Sequence, residues 1–167
     1  MLDAMPRSGL TAPTSLRPPS WLVWSVRLRS VSTLATGGCG CGAVRFEVTA
    51  PFVAALYCHC TRCQRRTGAA ASANARAEPG SVRIVAGEDE LRTWAPEGGF
   101  EKIFCGRCGS ALFARPPGSS DYTGVRLGTL DGDPGIRPQW HQYTAYAAGW
   151  QPLPDDGLPR YPEAKSS

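Results

Sequence analysis

The chain has 167 residues, a formal net charge of +4 and only 19% charged residues, with nineteen glycines and fifteen prolines. Such a composition favours many short elements joined by tight turns and excludes a bundle of long helices. Residues 1–36 hold four arginines (Arg7, Arg17, Arg27, Arg29) against Asp3, so +3 of the charge lies there and only +1 remains for the rest. A near-neutral body makes nucleic acid an unlikely partner.

The longest apolar run in the leading segment is Trp21-Leu22-Val23-Trp24, followed after Ser25 by Val26. It is far short of the roughly 20 residues that cross a bilayer, so no membrane partner is expected. Prolines and serines without a period of 2 or 3.6 mark residues 1–36 as a disordered extension or a mis-assigned start. Order is expected to begin near Gly37, with one domain over 37–162 and a tail over 163–167.

Val44, Phe46 and Val48 alternate with Arg45, Glu47 and Thr49, the pattern of a half-buried strand that Pro51 ends. A second strand is predicted from Ala54 through Tyr57 into Cys58, then a turn or single helical turn over Thr61 to Thr67. Ser81 to Val85 and Leu91 to Trp94 read as strands separated by Gly87-Glu88-Asp89. Gly98-Gly99 leads into a strand over Phe100 to Phe104, and Ala111 to Ala114 forms the next. Tyr122 to Leu130 and Gln142 to Ala147 are the last candidates, ahead of a proline-rich tail expected to pack as coil. The fold class is mostly β.

All seven cysteines fall in three clusters: Cys39 and Cys41; Cys58, Cys60 and Cys63; Cys105 and Cys108. An odd number packed at C-x-C and C-x-x-C spacing suits metal better than disulfides and places the chain in a reducing, cytoplasmic setting. Cys105 and Cys108, flanked by glycines, form half of a tetrahedral zinc site, and Cys39 and Cys41 supply the other half. An iron–sulfur cluster on the same four thiolates is the alternative. Cys58, Cys60 and Cys63 have no fourth cysteine. In extended chain Cys58 and Cys60 share a face and His59 takes the other, leaving three thiolates and an open position, as in catalytic zinc. The competing reading is a second structural site completed by a distant acid or histidine. The metal expected is zinc, two ions per chain.

Three stretches, GGCGCGAVRFEV at 37–48, CHCTRCQRRTGA at 58–69 and FCGRCGSALFA at 104–114, resemble the family of glutathione-dependent formaldehyde-activating enzymes and centromere protein V. The resemblance spans about residues 37–162 and implies an Mss4-like complex of short antiparallel sheets organised around zinc. It implies structural ligands at Cys39, Cys41, Cys105 and Cys108, catalytic ligands at Cys58, Cys60 and Cys63, and a carbon–sulfur lyase acting on a small thiol and an aldehyde such as formaldehyde. A non-catalytic zinc scaffold that binds a protein partner is the rival within the same fold. Arg62, Arg65 and Arg66 flank the open site and are candidates to grip a glutathione-like carboxylate through paired N–H donors. His59 and His141, the only histidines, are the candidates for proton transfer, with a packing role as the alternative. Trp94, Trp140, Trp150, Tyr143 and Tyr146 are expected in the core or a pocket wall.

Overall fold

The period-2 segments become strands in a computed structural model that describes residues 32–166. The expectations for residues 1–31 lie outside the described residues. In chain order the elements are β1 (Ala35–Gly38), β2 (Arg45–Val48), β3 (Ala54–Cys58), helix α1 (Thr61–Thr67), β4 (Ser72–Arg76), β5 (Val82–Ala86), β6 (Leu91–Trp94), β7 (Glu101–Cys105), β8 (Ala111–Arg115), β9 (Gly124–Arg126), β10 (His141–Gln142) and β11 (Arg160–Tyr161). They form a three-stranded sheet, β1-β2-β5, and an eight-stranded one, β11-β10-β3-β4-β9-β8-β7-β6. Pairing is antiparallel except where β10 runs parallel to both β3 and β11.

Alternation along β2 sends Phe46 and Val48 inward, with Val44 just ahead of them. They meet Ile103, Cys105, Leu112, Phe113 and Val125 from the larger sheet, and this interface is the main core. Phe46 and Phe113 meet edge to face at 4.8 Å, and Tyr122 stacks on Phe113 at 4.6 Å. Each fully buried side chain of this size contributes about 1.5–3 kcal/mol. The opposite face of the larger sheet carries a second cluster, Ala54, Leu56, Cys58, Cys63 and Trp140, packed beneath α1.

Several elements differ from the sequence reading. β1 begins at Ala35, ahead of Gly37, because the Leu34 amide already bonds the Val48 carbonyl at 2.8 Å. β4, of sequence SANAR, has little β propensity and is made a strand by β3 and β9 on either side of it, a case of context overriding propensity. The span Tyr122 to Leu130 is strand only over β9 and then turns 3-10, as Gln142 to Ala147 does after β10. The tail is not all coil. Arg160 and Tyr161 pair with β10, the Tyr143 amide bonds the Glu163 carbonyl at 3.0 Å, and the Lys165 ammonium sits 4.2 Å above the Trp140 ring. Trp140 is buried as expected, whereas Trp94, Tyr146 and Trp150 are exposed.

Gly87 ends β5 with φ +70°, and a Cβ there would collide with the carbonyl oxygen of Ala43. Gly98 has a similar φ of +60° and open space around it. The strain of a left-handed backbone is common to both, about 1–2 kcal/mol. Gly98→Ala should therefore cost about 1 kcal/mol in urea unfolding, and Gly87→Ala about 3 kcal/mol or more because the collision is added.

Candidate metal centres

Cys39 and Cys41 lie in the turn between β1 and β2, closed by the Gly42 amide on the Cys39 carbonyl at 3.0 Å. Cys105 and Cys108 lie in the matching turn between β7 and β8, closed by the Gly109 amide on the Cys105 carbonyl at 2.9 Å. Gly42 and Gly109 both have φ +76°, which turns the chain back after its second thiol at no steric cost. The Gly40 amide donates to Ser110 Oγ at 2.9 Å and ties one turn to the other.

The four sulfurs lie within 4.8 Å of one another, with Cys39 to Cys41 at 3.4 Å and Cys41 to Cys105 at 3.9 Å. A tetrahedron of thiolates with metal–sulfur bonds of about 2.3 Å has sulfur–sulfur edges of about 3.8 Å. The donor set therefore fits one tetrahedral ion. Second interactions favour thiolate at two of the four sulfurs: the Val44 amide donates to Cys39 Sγ at 3.2 Å, and a hydrogen bond with Ser110 Oγ brings the Cys108 thiol down to about 5. None of the seven cysteines is in a disulfide.

Cys58 closes β3, Cys60 caps α1, and Cys63 lies in the first turn of that helix. The helix starts there because Cys60 is extended (φ −61°, ψ 145°) and its sulfur accepts the Cys63 amide at 3.3 Å. It stops at Gly68, left-handed at φ 67°, whose amide caps the Gln64 carbonyl at 2.8 Å. The three sulfurs lie within 4.8 Å of one another, and among the described residues no fourth Cys, His, Asp or Glu joins them. Without an ion, hydrogen bonds from Cys58 and Cys63 draw the Cys60 thiol far down, while the Cys58 thiol is pushed up by its bond to Cys60. The three sulfurs thus form a donor set for one cation, and Cys60 is the most accessible residue of the three.

The arginines singled out from sequence divide. Arg62 donates from Nη1 to the Gly98 carbonyl at 3.1 Å and from Nη2 to the Glu97 carbonyl at 3.3 Å, which ties α1 to the turn before β7. Arg65 is exposed. Arg66 lies over the Phe104 ring, 5.3 Å from its centroid, and donates to the Ile103 carbonyl at 3.1 Å. Sequence reasoning missed Lys102 and Arg126, which the larger sheet brings to the same side; Tyr143, expected in the core or a pocket wall, packs against the apolar cluster that includes Cys58 and Cys63, with an unusual φ of 59°. Lys102 was discoverable: in β7 it alternates with buried Ile103 and so must face α1.

Both histidines point the other way. His59 Nε2 bonds His141 Nδ1 at 2.8 Å, and His141 Nε2 bonds Asp156 Oδ2 at 3.0 Å. His141 stacks on Tyr57, whose side chain alternates with that of Cys58. Burial, and then the neighbouring His141, hold His59 below its usual range. These groups line a separate cleft of about 300 Å³ with Ala70, Leu153 and Pro154. They do not reach the thiols from that face.

The two centres should answer differently to loss of one sulfur. A closed thiolate site in a small domain contributes on the order of 10 kcal/mol, comparable with net domain stability. Cys108→Ser should lose the cooperative unfolding transition. Cys60→Ser should keep it and hold one metal equivalent fewer, because Cys58 and Cys63 share one short segment and close no long loop. Circular dichroism melts with metal analysis check both.

The model of the family described as glutathione-dependent formaldehyde-activating enzyme matches residues 34–146. A protein of Halomonas elongata that carries this family's name provisionally is 28% identical over 106 residues, covering 60% of this chain and 68% of its own. A crystal structure of a Rhodobacter sphaeroides protein is 27% identical, with a TM-score of 0.46, covering 75% of this chain and 98% of its own. With two thirds of the chain matched and every cysteine inside the matched span, this chain belongs to the glutathione-dependent formaldehyde-activating enzyme family.

Proposed function

We propose that the chain is a zinc-dependent carbon–sulfur lyase that joins or separates a small thiol such as glutathione and an aldehyde such as formaldehyde. The observation that carries this reading is the set of three converging thiols that no fourth Cys, His, Asp or Glu joins among the described residues, in a chain that also holds a set of four. Zinc suits both donor sets, and the reading takes two ions per chain, one organising the sheets in an Mss4-like arrangement and one serving chemistry. Seven unpaired thiols suit a reducing, cytoplasmic setting.

When bound by Cys58, Cys60 and Cys63, zinc would supply positive charge that deprotonates a thiol or polarises an aldehyde oxygen. That need is real, since an ordinary thiol with pKa near 8.5 is only a few per cent thiolate at neutral pH. In the joining direction the thiol gives up its proton and its sulfur bonds the aldehyde carbon. The carbonyl π pair moves to oxygen, which takes a proton and becomes a hydroxyl. Cleavage runs the same bonds backwards, and neither direction changes oxidation state. The chain's own part is to hold the reactants: α1 carries Cys63 and is capped by Cys60, and the half-buried Tyr143, packed against the apolar cluster that includes Cys58 and Cys63, offers a phenol as proton donor.

Exchange between formaldehyde, glutathione and their hemithioacetal, followed by NMR, tests the reading. The zinc-loaded chain should accelerate it, and folded Cys60→Ser should lose most of the acceleration, about 100-fold or more. No acceleration by the wild type with glutathione or other small thiols overturns the enzyme reading in favour of a scaffold. Equal acceleration by both proteins removes the three-thiol centre from the chemistry.

A further inference from the structure

Three cations stand beside the Cys58, Cys60 and Cys63 cluster without a carboxylate among them. Arg126, in β9, is only 7% exposed. Its Nη1 donates to Ser72 Oγ at 2.7 Å and also to Asn74 Oδ1, which fixes the guanidinium. Ser72 lies directly across from Cys58 in the β3–β4 register, so this anchor holds Arg126 on the thiol side of the sheet. Its Nε and Nη2 are buried with no partner. Those two N–H groups form one edge of the guanidinium, the edge that meets the two oxygens of a carboxylate.

Arg66 approaches from the helix, one turn beyond Cys63, and its Nε is likewise buried without a partner. Lys102 approaches from β7, its ammonium 5.7 Å from the Phe100 ring centroid. Burial lowers the pKa of Lys102 while the three thiols pull it back up, and Arg126 and Arg66 repel each other across the same space. Among the described residues none of the three forms an ion pair.

An orphaned buried N–H is costly, and more so on a charged group, so an arrangement with three such atoms is incomplete. The cluster itself does not complete it. Three thiolates around a divalent ion leave one negative charge, and the three cations leave a surplus of two positive charges. A thiol that binds as thiolate removes one of these, and a carboxylate on the same molecule removes the other.

We propose that Arg126, with Lys102 and Arg66, is the receptor for the carboxylate of an anionic thiol substrate, beside the open position of the three-thiol centre. The proposal rests on the reading of that centre as a thiol-binding metal site. It moves recognition from the outer arginines to the sheet: Arg62 is engaged by backbone carbonyls and Arg65 faces solvent, whereas Arg126 keeps its two-pronged edge free.

Binding to the zinc-loaded full chain, measured by calorimetry, tests it with 3-mercaptopropionate, neutral 2-mercaptoethanol and propionate as probes. The wild type should bind 3-mercaptopropionate about 10-fold or more tighter than 2-mercaptoethanol. Arg126→Gln, which removes the charge and the fork, should bring that ratio close to one, and Lys102→Met, on a half-buried position that can lose its charge without opening the core, should lower it several-fold, with Lys102→Arg restoring it. Arg126→Lys, which keeps charge but loses the fork, should fall between. Metal content and an amide NMR spectrum show whether each variant is folded and loaded. Equal binding of charged and neutral thiols by the wild type overturns the proposal, as does failure of both to bind. An unchanged ratio in folded, loaded Arg126→Gln, with only metal affinity reduced, also overturns it and leaves the cations as charge balance for the metal. A preserved 10-fold preference without formaldehyde exchange supports the receptor while the lyase reading fails.

Discussion

The arrangement depends on two turns meeting. The β1–β2 turn carrying Cys39 and Cys41 and the β7–β8 turn carrying Cys105 and Cys108 belong to different sheets and lie 64 positions apart between Cys41 and Cys105. Where their sulfurs converge, the small sheet is pinned to the large one at one end of the Phe46–Phe113 core. Both turns are closed by left-handed glycines and tied together by the Gly40 amide on Ser110 Oγ, which leaves the thiols pointing at one another. The main core then fixes how β2 lies across β7 and β8, and with it the position of every strand further along the larger sheet.

One of those strands, β3, separates two kinds of chemistry by its pleat. Cys58 points to the face covered by α1, and the chain continues to Cys60 and Cys63 on that side. Tyr57 and His59 point to the other, where His141 and Asp156 complete a hydrogen-bonded chain along a separate cleft. The histidines are therefore poor candidates for proton transfer at the thiols, though they stand next to them in sequence. Their bonds hold the segment between two of the thiols from behind, as does Gln64 by donating to the His59 carbonyl at 2.6 Å.

The face under α1 is polar for a sheet interior. Ser72, Asn74, Arg126 and Lys102 lie on strands whose other faces carry Ala75, Val125 and Ile103 into the main core. Burying cations opposite an apolar layer is costly unless an anion meets them. As thiolates, the three sulfurs of Cys58, Cys60 and Cys63 on that face would meet part of that need, which would link the charge of the sheet to the state of the cluster. The same link connects fold to function: the strands that stabilise the protein through one face arrange the site through the other.

Much of this was legible in the chain itself. The alternation of Val44, Phe46 and Val48, the glycine-bounded cysteine pairs and the divergence of His59 from Cys58 and Cys60 are local properties, set by the two-residue repeat of a strand and the steric freedom of glycine. From them came the mostly β class, the division of seven cysteines into four and three, and most strand positions. What only tertiary structure decided was non-local. β4 and β11 are strands because neighbours pair with them, and SANAR or Arg160-Tyr161 alone gives no such signal. Arg126 is 52 residues from its anchor Asn74 and enters the site through the order of strands, which no spacing in the sequence encodes. Arg62, next to Cys63 and two residues from Cys60 in sequence, is instead held by a turn 36 residues later, because helical geometry points it away from the cluster that Cys63 faces.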